Sequence, residues 1–198
     1  MKNASAARPS LEARELSYSL VGATLDGQGW QNAAARQIRT HEQSVRIGNG
    51  DAHWEFASES ILKWGIKRRS GFTVEPGRGI SGLLSDVSVG ERFWLIAHIG
   101  PLRVREPVEV VGVIDDEDRK GFAYGTLQGH PVSGEELFLV ERRVDGSVWL
   151  TLRSMTSPSS GMWRFAYPAI LVAQRVYRRR YAKALAERDS FHVPLGSE

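Results

Sequence analysis

The stretch YGTLQGHPVSGEE, residues 124–136, carries the side chains best suited to acid–base chemistry. An unperturbed histidine titrates near neutral pH, so His130 can exchange a proton under physiological conditions. Glu135 and Glu136 follow it and can hydrogen-bond a ligand or share in proton transfer. A hairpin loop is the competing interpretation, because glycine and proline here favour turns and the glutamates can cap or solvate the next strand.

Alternating residues in three other segments place aromatic and polar side chains on common faces. The segments are residues 91–99, 121–127 and 147–155. Mostly apolar faces with a few hydrogen-bonding groups are typical of ligand-cavity walls. Exposure of His98 and Arg153 to solvent is the alternative, since an inward arginine needs a carboxylate partner or an acidic ligand. The residues that we expect to contact a ligand are Trp64, Trp94, His98, Tyr124, Thr126, His130, Glu136, Trp149 and Arg153.

Several other kinds of site are excluded or disfavoured. The chain has no cysteine, which excludes disulfides, thiolate metal sites and a cysteine nucleophile. His130 with the two glutamates is not a recognised metal-coordination pattern. Gly48 and Gly50 lack the βαβ context of a dinucleotide site, because antiparallel strands follow, and no serine stands in a nucleophile elbow. We therefore expect neither a metal nor a cofactor.

The charge distribution argues against a nucleic-acid partner. The net charge is +3, and residues 159–198 carry +4 while the rest of the chain carries −1. The basic groups at residues 67–69 and 178–180 are typical of solvated helix faces, although anionic lipid is an alternative partner. No apolar run approaches the length of a membrane span, and residues 1–17 lack the apolar core of a secretory signal. We expect a cytoplasmic protein, whose oligomeric state the sequence does not determine.

Three elements are predicted before the main run of strands. Residues 16–24 alternate as a first strand, and residues 32–39 suit a short helix. Residues 51–64 form the first clear helix, with apolar side chains at helical spacing. Asp51 is expected as its N-cap, because a carboxylate there can accept free amide protons of the first turn, and Gly65 as its stop.

From residue 80 onward the apolar period changes to two, which predicts strands. Asp145-Gly146 is the strongest hairpin signal, because both residue types tolerate the positive φ of a type I′ turn. Short connections between successive strands imply an antiparallel meander. The predicted strands are residues 79–88, 91–99, 103–114, 121–127, 134–143 and 147–155.

A long amphipathic helix is predicted at residues 168–185, with Pro168 in its first turn. At roughly 30 Å it can cross a whole sheet. The fold class is therefore α+β: a curved seven-stranded antiparallel sheet wrapped around a long C-terminal helix, with a smaller helical segment after the first strand. We expect one domain at residues 16–190, flexible tails at residues 1–15 and 191–198, and a cavity between sheet and helix. The apolar stripe of the helix consists of Ile170, Ala173, Tyr177, Tyr181, Ala184 and Leu185.

The element order resembles the helix-grip proteins of the START and polyketide-cyclase-like superfamily. The motifs LSYSLVGAT, KRRSGFTV and, most specifically, GFAYGTLQGHPVSGEE are similar to the family called domain of unknown function 1990, or uncharacterised protein family 0548. This resemblance spans about residues 16–185. It implies a cavity for an apolar or amphipathic ligand, with catalysis in only some branches. Val132 stands where the family pattern leads us to expect an acidic residue, so any role of that acid is missing here.

Three functions stay open at this point. The first is binding of a hydrophobic or amphipathic small molecule between the sheet and the C-terminal helix, without established catalysis. The second is a small enzyme of the cyclase, dehydratase or isomerase kind that uses the same cavity, with His130 or a buried glutamate as base. The third is a peripheral interaction protein that uses its basic C-terminal helix.

Overall fold

The computed structural model describes residues 9–36, 38–80, 82, 85–159, 161 and 163–186. The helices in this part of the chain are Gly27–Ala35 (α1), Asp51–Leu62 (α2), Gly65–Arg69 (α3) and Trp163–Ala184 (α4). The strands are Arg39–Asn49 (β1), Phe72–Pro76 (β2), Arg92–Ile99 (β3), Leu102–Asp115 (β4), Arg119–Thr126 (β5), Val132–Arg142 (β6) and Ser147–Pro158 (β7).

The seven strands form one antiparallel sheet in the order β1-β7-β6-β5-β4-β3-β2. Register shifts between Arg46 and Gly48 and between Val110 and Gly112 mark bulges, which bend a strand and increase its twist. Helices α2, α3 and α4 lie against one face of the sheet, which we call the inner face, and α1 lies against the other, the outer face. The predicted α+β helix-grip class is confirmed.

The two edge strands differ from the prediction. β1 and β2 lie where no strand was expected, whereas residues 16–24 form turns and the described part of residues 79–88 contains no strand. An edge strand has only one neighbour and borders solvent, so its sequence need not alternate. Along β1 only Ile47 is fully buried, and this polar composition hides the strand from a search for apolar periodicity.

Residues 16–24 form no strand ladder: beside an isolated bridge between Leu16 and Leu127 and the hydrogen bonds of Ser17, one buried side chain holds the segment. The buried carboxylate of Glu135 accepts hydrogen bonds from the Tyr18 hydroxyl at 2.7 Å and the Gly22 amide at 2.8 Å. It also accepts bonds from the amide and the hydroxyl of Thr24, at 2.8 and 2.5 Å. Because these amides bond to a carboxylate, they are not available to pair with a neighbouring strand.

The described part of the expected N-terminal tail packs on the domain. Leu11 is buried, and the Arg14 guanidinium donates a hydrogen bond of 2.5 Å to the carbonyl oxygen of Gln128. Residues 9–15 are therefore anchored, which corrects the expectation of a free tail there. The expected tail at residues 191–198 lies outside the described residues.

The predicted helix at residues 51–64 ends at Leu62, and a second helix, α3, follows it after a left-handed residue. Trp64 has φ 58° and ψ 17°, a conformation that costs a bulky side chain energy, and it is almost fully buried. Gly65 therefore begins α3 rather than ending α2. Gly50, not Asp51, is the N-cap, and the Asp51 carboxylate instead pairs with Arg142 at 3.0 Å.

The long C-terminal helix starts earlier than predicted, at Trp163, so Pro168 lies inside it. Its 22 residues span about 33 Å. The predicted apolar stripe faces the sheet: Tyr181 and Leu185 are buried in the main core, and Ile170 and Ala173 line the space beside it.

The hairpin between β6 and β7 forms where predicted, with a different turn. Gly146 has φ 77°, but Asp145 does not have a positive φ. The Gly146 amide donates to the Arg143 carbonyl, and the Arg143 amide donates to the Ser147 carbonyl, both at 2.9 Å. One left-handed glycine after a turn is the pattern of a three-residue hairpin loop, so the predicted type I′ turn is wrong.

Candidate functional site

A pocket of about 360 Å³ lies between α4 and the part of the inner face beyond α2. This volume is within the range of small-molecule sites. Its floor is formed by side chains of the central strands, and α4 forms one wall. The apolar lining includes Phe72, Ala97, Val104, Ala169, Ile170 and Ala173.

The floor is polar because the inner-face side chains change from apolar to polar at paired positions of adjacent strands. Along β7 the inner face runs from Leu152, which belongs to the core, to Ser154, which lines the pocket. The sheet register places Ser154 opposite Glu136, and Glu136 opposite Tyr124. Glu106 of β4 extends the polar lining toward the next strand. Strand register thus collects polar groups from four strands in one place.

Lys67 of α3 is a buried ammonium at the inner end of this pocket. Its side chain is 2% exposed, and Nζ lies 3.0 Å from Oε2 of Glu136 and 2.6 Å from the hydroxyl oxygen of Tyr181. Aromatic rings surround it and attract the cation through their π faces. The distances from Nζ to the ring centroids are 4.6 Å for Phe72, 4.9 Å for Tyr124, 5.3 Å for Phe138 and 4.7 Å for Tyr181.

Glu136 is the anion that balances Lys67. Its Oε2 atom accepts hydrogen bonds from Lys67 and from the Tyr124 hydroxyl. Burial, together with the nearby carboxylates, raises the pKa of Tyr124 and of Tyr181 well above the ordinary value, so both phenols stay protonated. The cluster therefore combines one ion pair with two neutral hydroxyl groups.

Glu106 and His130 form a second polar pair beside the first. Oε2 of Glu106 lies 3.8 Å from Nε2 of His130, and both side chains line the pocket. Burial raises the pKa of Glu106 to about 7, more than the positive charge of Lys67 lowers it, and the charge of Glu136 adds to the rise. Burial also lowers the pKa of His130 to about 3, so the imidazole is neutral.

The His130 ring can be held in either neutral tautomer. Its Nδ1 atom lies 2.9 Å from the carbonyl oxygen of Val132 and 3.1 Å from the amide nitrogen of the same residue. If Nδ1 carries the proton it donates to the carbonyl, and if it does not it accepts from the amide. Nε2 accordingly carries a lone pair in the first tautomer and a proton in the second, and at 3.8 Å from Glu106 it stays free to bond a ligand.

Several polar atoms at the pocket have no hydrogen-bond partner among the described residues. They include Nε2 of His130, Oγ1 of Thr156 and Oε1 of Gln174. Arg178 reaches the same wall and donates to Oγ of Ser154 at 3.1 Å. Buried polar atoms are normally satisfied, so unsatisfied atoms around a cavity indicate where the polar part of a ligand or a water molecule binds.

The structure brings four of the nine expected contact residues to this pocket: Tyr124, Thr126, His130 and Glu136. Trp64 lies in the adjacent core, with its ring 5.6 Å from that of Tyr124.

The other four lie on the outer face. Trp94 packs against the guanidinium of Arg105, His98 contacts Thr73, Trp149 packs against Arg143, and Arg153 pairs with Glu42 at 3.1 Å. The alternation along these strands is as predicted, but the face turned to the helix is the opposite one, formed on β3 by Phe93, Leu95 and Ala97. Sequence alternation defines the two faces of a strand without saying which of them is covered.

Three residues central to the pocket were not among the expected contacts. Lys67 was assigned to a solvated basic group and Tyr181 to an apolar stripe. Of the three, only Glu106 could have been found from the sequence pattern, because it shares a strand face with Val104, Val108 and Val110. A single carboxylate in an otherwise apolar alternation indicates a buried acid.

Two further observations bear on the expected absence of metals and membrane spans. Within the described ranges, no group of three or more histidine, aspartate or glutamate side chains has a metal-binding arrangement. No helix in the described part of the chain combines the length and apolar character needed to cross a membrane.

Comparison with known proteins finds relatives over most of the chain. The family model described as "Domain of unknown function (DUF1990)" matches residues 17–184. A UPF0548 protein of Deinococcus radiodurans is 35% identical over 178 residues, which cover 85% of each chain. A UPF0548 protein of Arabidopsis thaliana is 28% identical over 149 residues, which cover 71% of this chain and 68% of the relative.

The solved structure of the hypothetical protein jhp0584 from Helicobacter pylori has a similar fold. The TM-score is 0.53 at 10% identity, over 74% of this chain and 84% of that one. At this identity the likeness concerns the fold alone.

Proposed function

We propose that this chain, which belongs to the DUF1990 (UPF0548) family, binds an amphipathic small molecule in the pocket between α4 and the inner face of the sheet. The resemblance read from its motifs is thereby confirmed at the level of the family. Placement in the START and polyketide-cyclase-like superfamily stays a prediction.

The observation that carries the proposal is the division of the pocket into apolar walls and a polar floor with unsatisfied atoms. Ile170 and Ala173 of α4 face apolar strand residues and offer surface to a hydrocarbon body. Nε2 of His130 and Oγ1 of Thr156 are buried polar atoms without a partner among the described residues. A ligand that places its polar end at the floor would satisfy these atoms and bury its apolar part against α4.

The proposal is tested by measuring binding of 1-decanol, decanoate and 2-decanone, which share a tail and differ in the polar end. Ligand-observed NMR on the full chain gives each affinity, and native mass spectrometry of freshly purified protein detects any ligand that copurifies. Ala173→Trp fills the pocket, whereas the neighbouring Val172 is 60% exposed, so Val172→Trp is a matched control. We expect Ala173→Trp to weaken binding at least about tenfold and Val172→Trp to leave it unchanged. Equal binding by the two variants, or no binding of any probe, would overturn the proposal.

A second candidate function, acid–base catalysis in the same pocket, is favoured by one specific observation. Glu106 is a pocket carboxyl group whose pKa is raised to about 7 by burial, and perturbed pKa values cluster at catalytic sites. Catalysis and binding share the pocket, so this function adds to the first rather than replacing it.

The third function, an interaction made by the basic helix, stays a prediction. The outer side of α4 exposes Val172 and Val176. Nothing in the described residues identifies what would cover it.

A further inference from the structure

Resting on the binding proposed above, we infer that the pocket catalyses proton transfer at the carbon next to the carbonyl group of an apolar ketone. Glu106 is the base that takes the proton, and the Tyr181 hydroxyl donates a hydrogen bond to the carbonyl oxygen. Both residues line the same pocket.

Glu106 is the carboxylate best placed to act as base. Glu136 already accepts hydrogen bonds from Lys67 and Tyr124 at Oε2, so this oxygen is occupied by partners within the protein. Among the described residues no side chain or amide donates a hydrogen bond to the Glu106 carboxylate, and Nε2 of His130 lies 3.8 Å from its Oε2 atom. Its side chain is 18% exposed, and it lines the pocket, so a ligand can reach it.

The base strength of Glu106 also suits the reaction. Its pKa of about 7 makes the ionised form a stronger base than an ordinary carboxylate and leaves that form abundant near neutral pH. His130 cannot take this role, because its pKa of about 3 makes the imidazole a poor base. The charged and titratable groups around Glu106 are Lys67, Glu136, His130, Tyr124, Tyr177 and Tyr181.

Tyr181 has a hydroxyl proton available for a ligand. Its oxygen accepts a hydrogen bond from Nζ of Lys67 at 2.6 Å, so its own proton points elsewhere, and no acceptor for it occurs among the described residues. The ammonium polarises this O–H group and strengthens it as a donor. Lys67 is thus a positioning residue that acts through Tyr181, and α3 holds it there by way of the left-handed turn at Trp64.

The step needs no oxidant, reductant or second substrate. Glu106 takes a proton from the carbon next to the carbonyl, and the C–H electron pair forms a C=C bond while the C=O π pair moves to oxygen. The resulting enolate oxygen accepts a hydrogen bond from the Tyr181 hydroxyl, which Lys67 polarises. Protonated Glu106 then returns the proton to the same carbon or, in a β,γ-unsaturated ketone, to the γ carbon, which gives the conjugated isomer.

His130 accommodates both protonation states of Glu106. When the carboxyl is ionised, the Nε2–H tautomer faces it with Nδ1 accepting from the Val132 amide. When Glu106 holds the proton, the other tautomer presents a bare Nε2, and Nδ1–H donates to the Val132 carbonyl. Each protonation state of Glu106 therefore has a neutral tautomer of His130 that suits it.

The inference is tested by hydrogen–deuterium exchange at the carbons flanking the carbonyl of 2-decanone and 2-decalone. The full-length protein is incubated with each ketone in D₂O, NMR follows the loss of the C–H signals, and ligand-observed NMR confirms which ketone is bound. We expect exchange faster than in buffer, with a rate that rises with pH through an apparent pKa near 7 as Glu106 ionises.

Three variants assign the roles. Glu106→Gln should lower the exchange rate at least about 100-fold while retaining ketone binding, and Glu106→Asp should retain a pH-dependent, slower reaction. Tyr181→Phe should lower the rate about 100-fold, as expected for loss of a donor to the oxyanion. His98→Asn, on the outer face, should leave the rate unchanged.

Each outcome bears on a different claim. A bound ketone that exchanges no faster than in buffer, or exchange unaffected by Glu106→Gln, overturns the catalytic inference and leaves the binding function standing. Binding of decanol or decanoate without any ketone overturns the substrate class. Failure of every amphipathic probe to bind overturns the proposed function itself.

Discussion

Glu135 and Glu136 are consecutive residues whose carboxylates lie on opposite faces of the sheet. On the outer face, Glu135 binds Tyr18, Gly22 and Thr24 and ties the N-terminal segment to β6. On the inner face, Glu136 binds Lys67 and Tyr124 at the floor of the pocket. One glutamate stabilises the fold and the other helps to build the site.

Glu135→Gln is expected to lower the free energy of unfolding by about 3 kcal/mol, because the amide group places N–H donors against donors that need an acceptor. Amide hydrogen exchange at Gly22 and Thr24 should accelerate, since both amides donate to this carboxylate. Glu136→Gln is the matched control and should leave exchange at these two amides unchanged. Similar exchange in both variants would contradict the separate roles.

Lys67 and Glu136 should be strongly coupled in a double-mutant cycle. Replacing either residue leaves the charge of the other without its partner in a buried site. We expect Lys67→Met alone to lower the unfolding free energy by about 3 kcal/mol. The loss in the double variant Lys67→Met, Glu136→Leu should be smaller than the sum of the two single losses, and the difference, which is the coupling energy, should be about 1–3 kcal/mol. The exposed pair Lys63 and Glu59 serves as control and should show a much smaller coupling. Additive single changes at the buried pair would refute this coupling.

Glu106 should make the protein less stable as pH rises. Its pKa is about 7 in the folded protein, against an ordinary value of 4.5, so between these values the folded state holds a proton that the unfolded state has lost. The unfolding free energy therefore falls by about 3 kcal/mol in total from below pH 4.5 to above pH 7. His130 acts in the opposite direction, because its folded pKa of about 3 is lowered and stability is lost as pH falls below 6.5.

The contribution of Glu106 can be isolated with Glu106→Gln, which retains His130. Chemical denaturation from pH 4 to pH 8 should show the variant gaining about 3 kcal/mol relative to the natural protein as pH increases. A difference that does not change with pH would show that Glu106 titrates normally.

Gly134 should tolerate alanine poorly for a steric reason. It has φ 150°, and a Cβ atom there would lie 1.9 Å from the carbonyl oxygen of Met155. Gly100 also has a positive φ, 58°, but a Cβ atom there would meet nothing within 4 Å. Gly134→Ala should therefore cost about 3 kcal/mol of unfolding free energy and Gly100→Ala about 1 kcal/mol, measured by denaturant titration. Equal losses of unfolding free energy in the two variants would mean that the positive φ alone, and not the steric clash, sets the cost of the substitution.

The parts of the fold that could be predicted are those with a strong apolar period. The five strands β3 to β7 and the long helix α4 each bury one regular face, so their residues repeat every second or every third to fourth position. β1 is an edge strand whose polar residues carry no such period, and β2, the other edge strand, alternates over only five residues, too few to stand out. The segment at residues 16–24 does alternate, but the Glu135 carboxylate accepts bonds from the amides of Gly22 and Thr24, and no local pattern indicates a partner more than a hundred residues away.

The sequence by itself determined the class of fold, the meander of central strands, the covering helix and the family. It also placed Tyr124, Thr126, His130 and Glu136 in one recognisable stretch. Only the tertiary structure decided which face of the sheet the helix covers, and therefore that Trp94 and Arg153 lie outside the pocket. It also brought Lys67, Glu106 and Tyr181 to the same floor, because strand register and the turn at Trp64 join residues from distant segments, and neither can be read from the spacing of residues within one element.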